Sequence, residues 1–316
     1  MRTESIDGEH PSVVLADVNR RPRMNARILV FANEKGGVGK STLAFHTAVS
    51  LARSGEKVLA IDLDRRQRSL ARAFENRTAT ARSLGIDLPT PISLVLEHQS
   101  AGMLVQEIVR VGSDCTTIVI DVPGHDSPIA RRAIAMADKL VTPVNANFVD
   151  LDAIARFSPA TRQYKTMGKF AETVTGLRRE RLEYGMPDFE WVLVKNRVRH
   201  CERLQLKRFD AAIAQLPDKL GVKLATGLSE RVAFRDLYMF GLTHKDCANL
   251  PGMKGVRVAK TPDLEAMFKD IELAKAAEEK RAKPPLRTRQ PAKSLQRYRQ
   301  SLRQHIGAEE RVPTHA

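Results

Sequence analysis

Short apolar runs without polar alternation recur along this chain, and segments with helical spacing of apolar positions lie between them. The runs are Arg27-Ile-Leu-Val-Phe-Ala-Asn33, Lys57-Val-Leu-Ala-Ile-Asp62, Thr117-Ile-Val-Ile-Asp121, Lys139-Leu-Val-Thr-Pro-Val144 and Trp191-Val-Leu-Val-Lys195. A strand covered on both faces reads this way. Helical patterns fill Ser41 to Ser54, closed by Gly55, and Ser127 to Ala137; another is predicted over Pro262 to Lys283. Strand and helix in alternation argue an α/β fold, a mainly parallel sheet flanked by helices.

Outside this pattern the chain changes character. Met1 to Met24 mixes Pro, Arg, Asp and Glu without periodicity and reads as a flexible arm. Lys280 to Arg303 is rich in Lys and Arg, lacks Asp and Glu, and contains Pro284 and Pro285. The predicted division is an arm over 1–24, one folded domain over 25–283 and a basic, disordered tail over 284–316.

Charge adds a candidate partner. Net charge is +15 and the sequence pI is about 10.0. A polyanion would bind such a surface, although excess charge also serves solubility alone. Cys115, Cys201 and Cys247 form no CxxC pair, which suits a reduced, cytoplasmic protein. No signal-peptide core is evident, and no run approaches the roughly 18 apolar residues of a membrane span.

Chemistry is concentrated at Lys35-Gly36-Gly37-Val38-Gly39-Lys40-Ser41-Thr42, after a strand and before a helix. Glycines let the backbone curl until several N–H groups face phosphate oxygens, and the following helix adds its positive end. Lys40 is placed to reach the β- and γ-phosphates of ATP, and the Ser41 hydroxyl to ligate Mg²⁺. An ordinary phosphate loop has Gly six residues before that lysine. Here the position is Glu34, and the additional Lys35 marks the deviant Walker A class of P-loop NTPases. Asp121 ends an apolar strand in the Walker B manner, placed to hold Mg²⁺ through water, with Gly124 in the loop beyond. Asp62 and Asp64 end another strand. In this class the second carboxylate, Asp64, orients the attacking water; a helix cap is the rival reading. Lys35, Lys40 and Asp64 are thus the candidate catalytic set.

Further stretches stand out: Asn33-Glu-Lys-Gly-Gly, Asp62-Leu-Asp-Arg-Arg-Gln-Arg-Ser69, Phe74-Glu-Asn-Arg77, Asp121-Val-Pro-Gly-His-Asp-Ser127, Phe148-Val-Asp150 and Phe240-Gly-Leu-Thr243. Together they resemble the MipZ division-plane-positioning ATPases of the ParA/MinD superfamily. The resemblance spans about 27–247, and one loop departs from it: Asn145-Ala146-Asn147 stands where Asn-Asp-Ser is favoured. It implies an ATP-bound homodimer and an ADP-bound or empty monomer, with Lys35 reaching the partner's nucleotide and Asn196 reading adenine. It further implies non-specific DNA binding on the nucleoid, recruitment by a ParB-like protein and inhibition of FtsZ polymerisation.

Basic residues support DNA binding on their own. A helix is predicted over Cys201 to Leu216, with Leu206, Phe209, Ile213 and Leu216 on one face and His200, Arg203 and Lys207 on another. Arg197 and Arg199 precede it, and Arg231 and Arg235 are spaced i, i+4 on a later helix. Such a stripe suits duplex phosphates; a solvated helix face is the plain alternative. The tail carries a thin stripe of Leu295, Tyr298, Leu302 and Ile306 with no Phe or Trp, which argues against membrane binding. A ParA-type partitioning ATPase is the nearest alternative. An electron-transfer enzyme on this fold would need a cluster-bridging cysteine soon after Asp121, and a metabolic ligase an acid-binding pocket; neither is evident.

Overall fold

The computed structural model describes residues 26–97, 100–199, 201–248, 250 and 261–271; the arm 1–24 and tail 284–316 lie outside them. Five predicted runs become β1 (Arg27–Phe31), β2 (Val58–Asp62), β4 (Thr117–Asp121), β5 (Lys139–Asn145) and β8 (Glu190–Asn196). Two short strands not legible in the pattern, β3 (Ile92–Val95) and β9 (Lys223–Ala225), complete the sheet. Its order is β3-β2-β4-β1-β5-β8-β9, and every neighbouring pair is parallel. A small antiparallel ribbon, β6 (Ala155–Phe157) with β7 (Tyr164–Met167), lies apart.

Both faces of the sheet are covered, which is why its strands lack alternation. Ile28, Val30, Leu59, Ile61, Ile118 and Ile120 point into one core. That layer is closed by α3 (Ala101–Gly112), α4 (Pro128–Met136), α6 (Lys169–Glu183) and α7 (Arg203–Ile213). Leu29, Phe31, Val58, Ala60 and Val119 point the other way, onto α1 (Lys40–Arg53), α2 (Ser69–Leu84) and α11 (Pro262–Asp270). Short helices α5 (Phe148–Leu151), α8 (Leu216–Leu220), α9 (Val232–Met239) and α10 (His244–Cys247) join the rest.

Two expectations need adjustment, and a third is described only in part. The helix predicted over Cys201 to Leu216 is α7 followed by α8, because Pro217 lacks an N–H and suits only the first turn of a new helix. The helix predicted from Pro262 is described through Asp270, and 272–283 lie outside the described residues. Arg231 does not share a helix face with Arg235: it precedes α9 in extended conformation.

The segment around Phe240 is fastened to α2 by a buried network. Arg77 and Asp246 are both fully buried and pair at 2.8 and 3.0 Å, while Arg77 also donates to the carbonyls of Pro89 and Gly241. Asp246 accepts from Thr243 as well, and Arg53 adds a second cation. Burial opposes its ionisation, yet Arg77 holds the carboxyl below its ordinary range. Gly241 packs flat on α2, where a Cβ would stand 2.1 Å from the Arg77 nitrogen, and it has φ +64. Only glycine fits there. The stretches Phe74–Arg77 and Phe240–Thr243 are thus two halves of one contact.

Candidate nucleotide site

Chemistry collects at the carboxyl ends of β1, β2 and β4, where Phe31, Asp62 and Asp121 lie in one register row. Parallel α/β sheets bind ligands there. Asn33 shapes the loop leaving β1: its Nδ2 donates to the Pro143 carbonyl and its Oδ1 accepts from Lys35 N–H at 2.9 Å. Gly37 and Gly39 have φ of +75 and +96, a region closed to most other residues. At Gly39 a Cβ would also meet Asn196 Nδ2 at 2.3 Å. The curl ends at α1, whose first residue is Lys40.

The two lysines part company here. Lys40 is buried and its ammonium folds back to the Lys35 carbonyl at 3.1 Å. Burial lowers its pKa, against the pull of Asp121 and Asp64. The Lys35 side chain is 42% exposed and lies 3.8 Å from Asp150. Asp150 is in turn held by Asn145 at 2.6 Å and Asn147, so the divergent loop Asn145-Ala146-Asn147 positions the partner of Lys35.

Asp62, Asp64 and Asp121 form an acidic floor. Asp121 is buried, shares a hydrogen bond with Ser41, and leaves Oδ1 without a partner. Burial, reinforced by Asp62, pushes its carboxyl up to about 8. A buried carboxylate with an unsatisfied oxygen beside a hydroxyl fits a hard divalent cation, so Ser41 and Asp121 can hold Mg²⁺. Asp62 accepts from the N–H groups of Leu70 and Ala71 at 3.0 Å each, and so caps α2. Asp64 accepts from Arg66 and Gln67, which fixes a turn ahead of that helix.

Asn196, at the end of β8, donates to the Val38 carbonyl at 2.8 Å and braces the glycine loop. Beside it a cavity of about 260 Å³ is lined by Asn145, Asn147, Arg197, Arg199, Glu202 and Glu230. The predicted basic stripe is divided. Arg199 is paired with Glu230 at 2.6 Å and lies 3.7 Å from Glu202; Arg231 is paired with Asp263. Arg203, Lys207 and Arg235 are exposed and form no ion pair among the described residues. His200 lies outside the described residues. Asn33 and Asp150 are site residues that motif reading left without a role. The Asn two positions before Lys35, set for an Asx-turn, was the available signal for Asn33.

Glycine loop, inward lysine, spare lysine and strand-end carboxylates on a parallel sheet define a P-loop protein of the deviant Walker A class. The chain belongs to the MipZ ATPase family, whose profile matches residues 27–275. It is 32% identical over 152 residues to the chromosome-partitioning ATPase Soj of Thermus thermophilus, covering 42% of this chain and 60% of that protein. The chromosome partitioning protein ParA of Caulobacter vibrioides is 26% identical over 160 residues, covering 41% and 60%. The chain therefore spans about 60% of the length of these curated relatives. Among solved structures, the ATP complex of a Cyanothece McdA variant superposes with a TM-score of 0.52 at 16% identity, covering 83% of this chain and 100% of that one. A putative plasmid partition protein of Borrelia burgdorferi bound to AMPPNP gives 0.51 at 17%, covering 78% and 98%. Among the described residues, no helix is long and apolar enough to cross a membrane.

Proposed function

We propose that this chain is a nucleotide-driven dimerisation switch: it binds ATP, pairs with a second copy, hydrolyses ATP to ADP and phosphate, and separates. Carrying this reading is the opposite placement of the two lysines, Lys40 buried toward its own loop and Lys35 at the surface. The backbone N–H groups of Gly36 to Thr42 and the Lys40 ammonium hold the phosphates, and Asn196, beside the glycine loop, reads the base. Ser41 and Asp121 hold Mg²⁺, which supplies charge neutralisation on the phosphates. Asp64 orients the attacking water, and Lys35 leaves Asp150 to reach the nucleotide of the second copy. Sedimentation with and without ATP tests this. Lys40→Ala should lose ATP binding, whereas Lys35→Ala should bind ATP and remain monomeric. A Lys35→Ala chain that dimerises normally would sink the switch.

The paired state is proposed to grip duplex phosphates through Arg197, Arg199, Arg203, Lys207, Arg231 and Arg235. Its output is placement of the division site, with a ParB-like recruiter and FtsZ as the protein partners and the nucleoid as its location. Membership of the MipZ family favours that output. The Soj and ParA relatives favour a second output, DNA partitioning. Inhibition of purified FtsZ polymerisation by the ATP-bound form separates the two.

A further inference from the structure

Strand β3 ends the sheet, and no strand among the described residues pairs with its outer side. A groove of about 400 Å³ runs between it and α2, bordered by Ala71, Phe74 and Thr78 on the helix. On the strand side Ser93, Leu94 and Val95 all border it. Successive strand side chains point to opposite faces, so a groove touching three in a row passes the backbone edge itself. That edge presents N–H and C=O groups, and Ile92 at its start is 52% exposed.

At one end of the groove the turn that follows Asp64 projects three arginines. Arg65, Arg66 and Arg68 are all exposed. The turn is firm: Asp64 accepts from Arg66 and Gln67, and Arg68 N–H bonds the Asp64 carbonyl at 2.8 Å with φ at 49. Arg65 also reaches the Glu97 carbonyl beside β3. Two acids line the groove, Glu75 and Glu97; Glu97 is exposed, and the Arg65 guanidinium lies against its carbonyl. Glu75 meets Arg68 at 3.3 Å, but both side chains are exposed, so an incoming carboxylate can exchange with it.

We infer that this edge docks an extended, acidic segment of a partner protein. Its main chain extends the sheet at β3, its alternate apolar side chains enter the groove, and its carboxylates meet Arg65, Arg66 and Arg68. A backbone edge beside a groove of mixed lining, with Ala71, Phe74 and Pro91 among its apolar residues, suits a peptide. A DNA duplex would touch the arginines but leave the groove and the strand edge unused. Because the three arginines sit on the Asp64 turn, the partner would bind against the site without entering it.

Fluorescence anisotropy on the full chain tests the inference, using a labelled peptide of alternating Glu and Val. This peptide should bind, weaken with salt, and lose about tenfold in affinity to the Arg65→Ala/Arg66→Ala chain. A Lys and Val counterpart should not bind. A copy N-methylated at alternate residues should bind poorly, because it lacks the donors for edge pairing. Equal binding of that copy would overturn strand addition without any change to the protein. If Arg203→Ala/Lys207→Ala on α7 weakens the peptide as much, the attraction is diffuse and the inference fails. It fails also if the peptide does not bind while the Arg65/Arg66 substitutions abolish duplex DNA binding or self-association.

Discussion

Asp64, Arg77 and His46 each sit where the fold constrains a charge, and each gives a separate measurement. Asp64 holds a turn with one carboxylate oxygen, while Asp62 caps α2. If Asp64 orients the attacking water as proposed, Asp64→Ala should keep ATP binding and the fold but slow turnover by about 100-fold or more. Wild-type turnover would reduce Asp64 to a turn former. Arg77→Ala leaves Asp246 buried without its main partner and should destabilise by about 3–5 kcal/mol in urea unfolding. Removing both partners, Arg77→Met with Asp246→Ala, should cost less, because no fully buried charge is left unpaired and Arg53, which loses Asp246, is 26% exposed and can reach water. His46 is buried with Nε2 unpartnered, and burial pushes its pKa down to about 3, with His244 nearby adding to the shift. Its folded pKa lies below the unfolded value, so the unfolded chain binds the proton first. The stability tied to the neutral ring is complete above about pH 6.5 and is lost as pH falls from there toward 3. At pH 5 the loss should be about 2 kcal/mol for this group. His46→Phe should flatten that decline in acid unfolding curves.

Elements that make their own local case were legible in the sequence. β1, β2, β4, β5 and β8 are continuous apolar runs because both faces are buried, and α4 announces itself through the Ser127 cap and Pro128. β3 and β9 were not legible. Ile-Ser-Leu-Val and Lys-Leu-Ala are short and partly exposed, so their strand character comes from β2 and β8 alone. Of the site, the glycine loop and the strand-end acids were readable because their chemistry depends on local spacing. The role of Asp150 was not, since it depends on β5 lying beside β1. The basic stripe was half readable. Spacing on α7 placed Arg203 and Lys207 on its exposed face, but nothing local could reveal that Arg199 and Arg231 are engaged by Glu230 and Asp263. Phosphate contacts should therefore rest chiefly on Arg203, Lys207 and Arg235. Replacing Arg203 and Arg235 by Ala should reduce the salt slope of duplex binding by about 2 per subunit, with ATP-driven pairing intact. If cutting the chain after Lys283 abolishes binding and the double substitution does nothing, the stripe is only a solvated face.

At the scale of the whole molecule, long-range pairing dominates, since every pairing in the main sheet is parallel and needs a crossover. The Arg77–Asp246 contact shows this plainly: 169 positions separate its partners. Synthesis runs from the amino end, so α2 emerges long before the segment that neutralises it. Until Asp246 leaves the ribosome, Arg77 has no carboxylate to meet in its final place, and α2 cannot settle against the sheet without stranding a cation. Gly241 compounds the delay, because the surface of α2 that it covers stays open to water for the same interval. The last quarter of the polypeptide thus acts as a checkpoint on the first. A message cut short before Phe240 would yield a chain that holds the complete glycine loop and every strand-end acid, yet fails to keep them folded.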